Sequence, residues 1–290
     1  MSIKTGISLF LAILFLFGAA GILSAKAEQK LNPDGYELHF LLNSELALDE
    51  SHQLKQELRE EYKTGDKVKS YRLVYFETAD RAFSSEGWVN RLRRKDGGKK
   101  GFELTYKKRY TISGEDISAA MRLAELEGFD LSDENWETEI EWGYSGMTLS
   151  VSTESNFSYG GYVRIDDLDP TSAAATAARL MPAEEQNWKE EGWGSSQMAV
   201  ARMAGPISFN RYTGTAFGRE VQIEVWKLHG QDGEANLYIT ELSFKAENYE
   251  DAATSREAIT AGLAKVGLLI PDDALKTQQI LNAYFNEFIQ

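Results

Sequence analysis

Between Arg91 and Arg109 the chain carries Arg91, Arg93, Arg94, Lys95, Lys99, Lys100, Lys107, Lys108 and Arg109 against only Asp96 and Glu103, inside a protein of formal net charge −14. Cations this close repel one another unless an anion or carboxylates sit among them. In extended backbone, alternate side chains share a face. Arg91, Arg93 and Lys95 therefore fall on one face of a strand, and Glu103, Thr105, Lys107 and Arg109 on one face of the next. Paired as a hairpin, these faces make a cationic plate, which an anion or carboxylates among the cations would relieve. The same pattern also serves as a solvated hairpin face, because exposed charge pairs contribute little.

Other familiar chemistry is absent. The sequence has no HExxH, no GxxxxGK and no dinucleotide glycine run after a strand, and His39, His52 and His229 are its three histidines. With no cysteine there is neither a disulfide framework nor thiol chemistry. A strongly negative surface repels nucleic acid and anionic lipid heads. Carboxylates and histidine nevertheless recur at strand spacing. Glu37, His39 and Leu41 share one face of a strand over 36–42, with Leu38, Phe40 and Leu42 on the other.

The elements that must position these residues follow from periodicity and breakers. Strands are expected at 71–76, 88–95 and 102–110, the last two joined by a turn at Asp96-Gly97-Gly98. A second hairpin is expected from 136–142 and 147–153, with Glu139 and Glu141 on its solvated side. Further strands are expected at 207–212, 219–228 and 237–245. Helices are expected at 45–62, 115–127, 172–190, 249–266 and 272–285, and a loop at 192–196. Tyr71, Tyr75, Phe76, Trp88, Trp142 and Trp226 read as core. No fixed-period repeat and no proline-rich linker divides the chain, so one α+β domain is expected.

At the N-terminus, Lys4, an apolar run from Ile7 to Leu23 and Ala25-Lys26-Ala27 form a leader pattern with a small-x-small cleavage site. Residues 1–27 are expected to be removed and the domain over 28–290 to be secreted or periplasmic. If retained, the same run would serve as an N-terminal membrane anchor. No later segment is apolar for long enough to span a bilayer.

Several segments carry a resemblance. Tyr75-Phe-Glu-Thr-Ala-Asp80, Gly87-Trp-Val-Asn-Arg91-Leu-Arg93-Arg94 and Leu104-Thr-Tyr-Lys107 resemble, in order and spacing, the strand motifs of the CYTH, or triphosphate tunnel, family. Val221-Gln-Ile-Glu224-Val-Trp226 and Tyr238-Ile-Thr-Glu241-Leu-Ser243-Phe-Lys245 are similar to its paired late strands. Residues 130–200 look divergent or inserted. The resemblance implies an antiparallel barrel of about eight strands with flanking helices, enclosing a tunnel. It also implies Arg91, Arg93, Lys107 and Arg211 as ligands of a phosphate chain, and Glu37, His39, Glu224 and Glu241 on the side of a divalent metal, magnesium or manganese.

The departures are specific. The family's opening ExExK stands here as Glu37-Leu-His39-Phe-Leu41, and its late ExE as Glu241-Leu-Ser243. Two metal carboxylates and one lysine are thus replaced, which bears hardest on a hard cation that needs oxygen ligands. An arginine expected before two alternating glutamates corresponds to Glu137, ahead of Glu139 and Glu141. The sequence-level expectation is an exported barrel binding a small phosphorylated or other anionic ligand with weak or no hydrolysis. Alternatives are a metal-dependent tri- or polyphosphate phosphohydrolase and a structural cell-envelope protein whose tunnel is filled by its own salt bridges.

Overall fold

The computed structural model describes residues 32–98, 101–159, 163–228, 236–273 and 276–285. The expected leader, Lys99, Lys100 and His229 lie outside the described residues. Among those described, nine strands close into a barrel: β1 (Gly35–Leu42), β2 (Lys69–Glu77), β3 (Trp88–Lys95), β4 (Phe102–Ile112), β5 (Glu137–Trp142), β6 (Met147–Phe157), β7 (Arg202–Ala216), β8 (Arg219–Leu228) and β9 (Leu237–Ala246). Around the wall the order is β1-β5-β6-β4-β3-β2-β7-β8-β9, and β9 pairs back onto β1. A two-residue strand, Leu269–Ile270, continues the β1 edge past β5.

The expected count of about eight antiparallel strands is corrected to nine, with β1 and β5 parallel. Parallel partners require a long crossover rather than a tight turn, so no local hairpin signal marks this pairing. Residues 130–200 supply two barrel strands, β5 and β6, and a helical layer after them.

Alternation sets which side chains enter the barrel. On β1, Leu38, Phe40 and Leu42 are almost fully buried on the outer face, while Glu37, His39 and Leu41 line the interior. On β3, Trp88, Asn90, Leu92 and Arg94 are buried on the face away from Arg91 and Arg93, which line the cavity.

Helices cover the outer face. Helix Tyr249–Lys265 packs on β1 and β9, its first turn capped by the Asn248 side chain accepting from the Asp251 N–H. Helix Ile117–Leu126, capped by Asp116, packs on β4 and β6. Helices Pro170–Leu180, Ala183–Gln186 and Trp193–Val200 form a further layer. It meets the wall where Tyr106 Oη donates to the Ala177 carbonyl at 2.5 Å and where Trp88 and Trp188 pack edge to face.

Two helix expectations and one loop expectation are corrected. The helix expected over 45–62 is broken into Ser44–Ala47 and Gln56–Glu61. Between them the Asp49 carboxylate accepts from the Ser51 and Gln53 N–H groups and His52 takes a positive φ, a local turn that outcompetes helix. The helix expected over 172–190 stops at Leu180, because Pro182 cannot continue it. The expected loop at 192–196 opens a helix instead, with Gly192 at φ 79° just before it.

One element enters the barrel rather than covering it. Ile280, Leu281 and Phe285 of helix Lys276–Phe285 join the inward side chains Leu73, Tyr75, Ala204, Ile207, Phe209, Trp226, Leu228 and Ile239 in one apolar cluster. The helix thereby closes one end of the barrel and leaves the remaining interior as a cavity.

Candidate functional site

The interior holds a cavity of about 480 Å³, with Lys276 and Thr277 of the closing helix in its lining. Beside the Lys245 pair with Glu139 at 2.8 Å, three clusters of its charged groups are built by neighbouring strands.

The first lies where β3 meets β4 and β7 approaches from beyond β2. Arg93 Nη2 donates to Glu103 Oε1. Arg91 Nη2 donates to Thr105 Oγ1 at 3.1 Å and stands 3.8 Å from Glu103 and 3.9 Å from Glu154. Burial, Arg91 and Arg211 all lower the Arg93 pKa, with Glu103 partly offsetting them. The three guanidiniums therefore share one field. Burial and Glu103 in turn raise the Glu154 pKa. Arg91 Nε is buried and lacks a hydrogen-bond acceptor among the described residues.

The second cluster joins β4 to β5. Lys107 Nζ donates to Glu141 Oε1 at 2.6 Å, and Arg109 Nε to Glu141 Oε2 at 2.7 Å. Burial would raise the Glu141 pKa, but Arg109 and Lys107 outweigh it and hold the carboxyl well below its ordinary range.

The third cluster lies on β8, β9 and β1. Glu224 and Glu241 are opposite each other in register. Arg211 Nη2 stands 2.6 Å from Glu224 Oε1, Trp226 Nε1 donates to Glu224 Oε2 at 2.8 Å, and Lys276 Nζ reaches Glu224 Oε2 at 2.9 Å and Glu241 Oε1 at 2.6 Å. Despite burial, Lys276 and Arg211 pull the Glu224 pKa to about 2. His39 Nδ1 lies 3.4 Å from Glu241 and Nε2 3.7 Å from Glu37. Burial alone would lower the His39 pKa, but Glu37 and Glu241 raise it to about 9. At neutral pH the imidazole is therefore cationic.

Every residue expected at the site lines the cavity: Arg91, Arg93, Lys107 and Arg211, and Glu37, His39, Glu224 and Glu241. The structure does not gather the first four into a purely cationic plate. Lys107 is drawn to Glu141, and Arg211 to Glu224, each with its own carboxylate.

A divalent ion needs oxygen ligands that are free to bind it. Glu224 and Glu241 are here engaged by Lys276, with Arg211 and Trp226 also on Glu224 and His39 beside Glu241. Among the described residues, no group of three His, Asp or Glu is placed to hold a metal ion. The residues as arranged do not fit the metal that the motifs imply.

Six participants escaped the sequence reading. Glu139 and Glu141, expected on a solvated hairpin, are 7% and 6% exposed and line the cavity; the correction follows from β5 lying against β1 inside the closed wall. Tyr75 and Trp226, expected as core only, also reach the cavity. Lys276 carried no signal: it is a single lysine ahead of an amphipathic segment. Arg109 already stood on the plate's face by alternation, while Glu154 lies one residue beyond the strand expected over 147–153.

No protein-family model and no curated protein matches the sequence. Solved structures are similar in fold. A Hippeastrum protein, described as a candidate adenylyl cyclase with a dominant triphosphatase activity, superposes with TM-score 0.50 at 13% identity, covering 84% of this chain and 93% of its own. A Bacillus halodurans candidate adenylate cyclase gives TM-score 0.48 at 12% identity, over 84% of this chain and 97% of its own. A Pyrococcus horikoshii OT3 protein gives 0.42 at 13%, over 86% and 98%. The fold comparison rests on the first of these, and at such identity it concerns the fold alone. The closed nine-stranded barrel with flanking helices is a CYTH-type, triphosphate tunnel fold.

Proposed function

We propose that the barrel binds a small phosphate-bearing anion at Arg91, Arg93 and Arg211, with Lys107 on the adjoining wall, and hydrolyses it weakly or not at all. The observation that carries this reading is the buried Nε–H of Arg91, which has no acceptor among the described residues, beside two further guanidiniums in the barrel cavity. A phosphate oxygen satisfies that donor, and buried donors are costly to leave unpaired. Weak hydrolysis follows from the carboxylates: Glu141, Glu224 and Glu241 each hold a protein cation and are not free to position a metal or a water. On the leader pattern, the ligand is met outside the cytoplasm.

The test is a thermal-shift series with phosphate, pyrophosphate, tripolyphosphate and nucleotides, with and without magnesium or manganese, alongside phosphate-release assays. A ligand that binds only the folded state raises Tm. Tripolyphosphate is expected to raise it, and Arg91→Ala to weaken binding about tenfold or more, since a hydrogen bond to a charged group contributes about 1.5–3 kcal/mol. No shift at millimolar anion, or an unchanged response in Arg91→Ala, overturns the reading.

A second reading, a metal-dependent triphosphatase, draws on the description of the Hippeastrum structure. Metal-dependent phosphate release at roughly 1 s⁻¹ or faster, lost in Glu241→Ala, would put it in place of the first. The scaffold reading has the salt bridges it requires, but the open cavity counts against a tunnel filled by side chains.

A further inference from the structure

Glu224 and Glu241 face each other across β8 and β9 and are 5% and 6% exposed. Two like charges so paired destabilise a sheet unless a cation lies between them. That cation is supplied by the chain itself. Lys276 Nζ bridges the two carboxylates at 2.9 and 2.6 Å and sits 4.4 Å from the centre of the Trp226 ring.

The lysine is held in place from both sides. Just before it, the Asp273 carboxylate accepts from the Ser145 N–H at 2.9 and 3.0 Å and from the Ser145 hydroxyl. After it, Arg81 Nη2 donates to the Leu281 carbonyl at 3.0 Å and Asn282 Oδ1 at 3.3 Å, while Ile280, Leu281 and Phe285 are buried in the barrel's apolar cluster. A cation tethered in this way competes at a high local concentration that a dissolved ion does not have.

We infer that the Lys276 ammonium stands between Glu224 and Glu241 in place of a divalent ion, so that the site takes its anion without a metal. The inference deepens the anion-binding reading and rests on it for the anion. Its metal part can be measured separately.

The full chain is titrated with Mn²⁺ alone, followed by electron paramagnetic resonance, in wild type, Lys276→Met and Lys276→Arg. Met keeps an unbranched stem against Trp226 and removes the charge; Arg keeps a charge at the carboxylates. Wild type and Lys276→Arg are expected to show no stoichiometric site. Lys276→Met is expected to bind Mn²⁺ at least about tenfold more tightly, a change of 1.4 kcal/mol. In a parallel arm, wild-type affinity for tripolyphosphate is expected to agree within about twofold in chelator and in Mn²⁺.

One-to-one Mn²⁺ binding by wild type overturns the inference, whether or not the variants fold. So does a folded Lys276→Met that gains no Mn²⁺ affinity, or tripolyphosphate binding that disappears in chelator. Failure of wild type to bind tripolyphosphate under any condition instead removes the anion-binding reading, and the Mn²⁺ titration still decides what Lys276 does.

Discussion

Glu141, inside the barrel, and Glu185, in the helical layer outside its wall, are both buried carboxyls, yet they take opposite protonation states. Glu141 lies within 2.7 Å of both a lysine and an arginine nitrogen and is held ionised. Among the described residues, Glu185 receives one side-chain hydrogen bond, from Asn90 Nδ2 at 2.7 Å. Burial, with the Glu77 charge adding to it, pushes its pKa to about 8. Its Oε2 and Asn90 Oδ1 both lack a donor among the described residues, and a proton on the carboxyl converts one of these acceptors into a donor. Removal from water costs both groups alike; the charge of the neighbours decides the outcome. The barrel interior is a place where charge is stored in pairs, and the outer layer is a place where charge is suppressed.

The comparison breaks first at Glu141. Glu141→Ala leaves Lys107 and Arg109 buried without their shared carboxylate, and a loss of about 3–5 kcal/mol is expected in urea unfolding. A loss below about 1 kcal/mol would mean that the interior behaves as open solvent and that its pairs store nothing.

A smaller effect of opposite sign is expected at Glu185. Its folded pKa is raised from 4.5 to about 8, so the folded state binds the extra proton across that window. The stability this contributes is complete below pH 4.5 and is lost as pH rises through about 8. Glu185→Gln mimics the neutral acid and should match wild type near about pH 5 while exceeding it by roughly 1–3 kcal/mol near about pH 8. Identical pH slopes in the two proteins would show that Glu185 is not the neutral group. The smallest effect belongs to an exposed pair: Asp167→Asn removes one carboxylate partner of Arg164, at 2.9 Å, and should leave Tm unchanged. A clear fall there would show that enclosure is not what separates the strong pairs from the weak.

Much of the barrel was legible because alternation reports directly on which face is buried. β1, β3, β4, β8 and β9 were read within a few residues, and the shared face of Arg91 and Arg93, and that of Lys107, followed from the same period of two, while their inward placement was implied by the resemblance alone. What alternation does not report is the partner strand. Glu139 and Glu141 read as solvated because their hairpin looks peripheral until β5 lies parallel to β1, about a hundred residues earlier. The charge plate was legible as cations but not as ion pairs, since Glu141, Glu154 and Glu224 arrive from other strands. Lys276 was least legible of all: one lysine has no periodicity, and its role comes from where its helix packs. The broken helix near Asp49 had a local signal, an Asp two residues before a Ser, but the helical pattern around it was stronger.

The seam between β1 and β9 runs from Tyr36 against Ala246 to Leu42 against Thr240. Partners some two hundred residues apart must find each other before the ring is complete, and contacts of such separation slow folding. Until that latch engages, β1 and β9 each present an unpaired edge, the kind of surface on which chains stick together. Weakening the seam should therefore first appear as a longer-lived, aggregation-prone open sheet rather than as a loosened native ring.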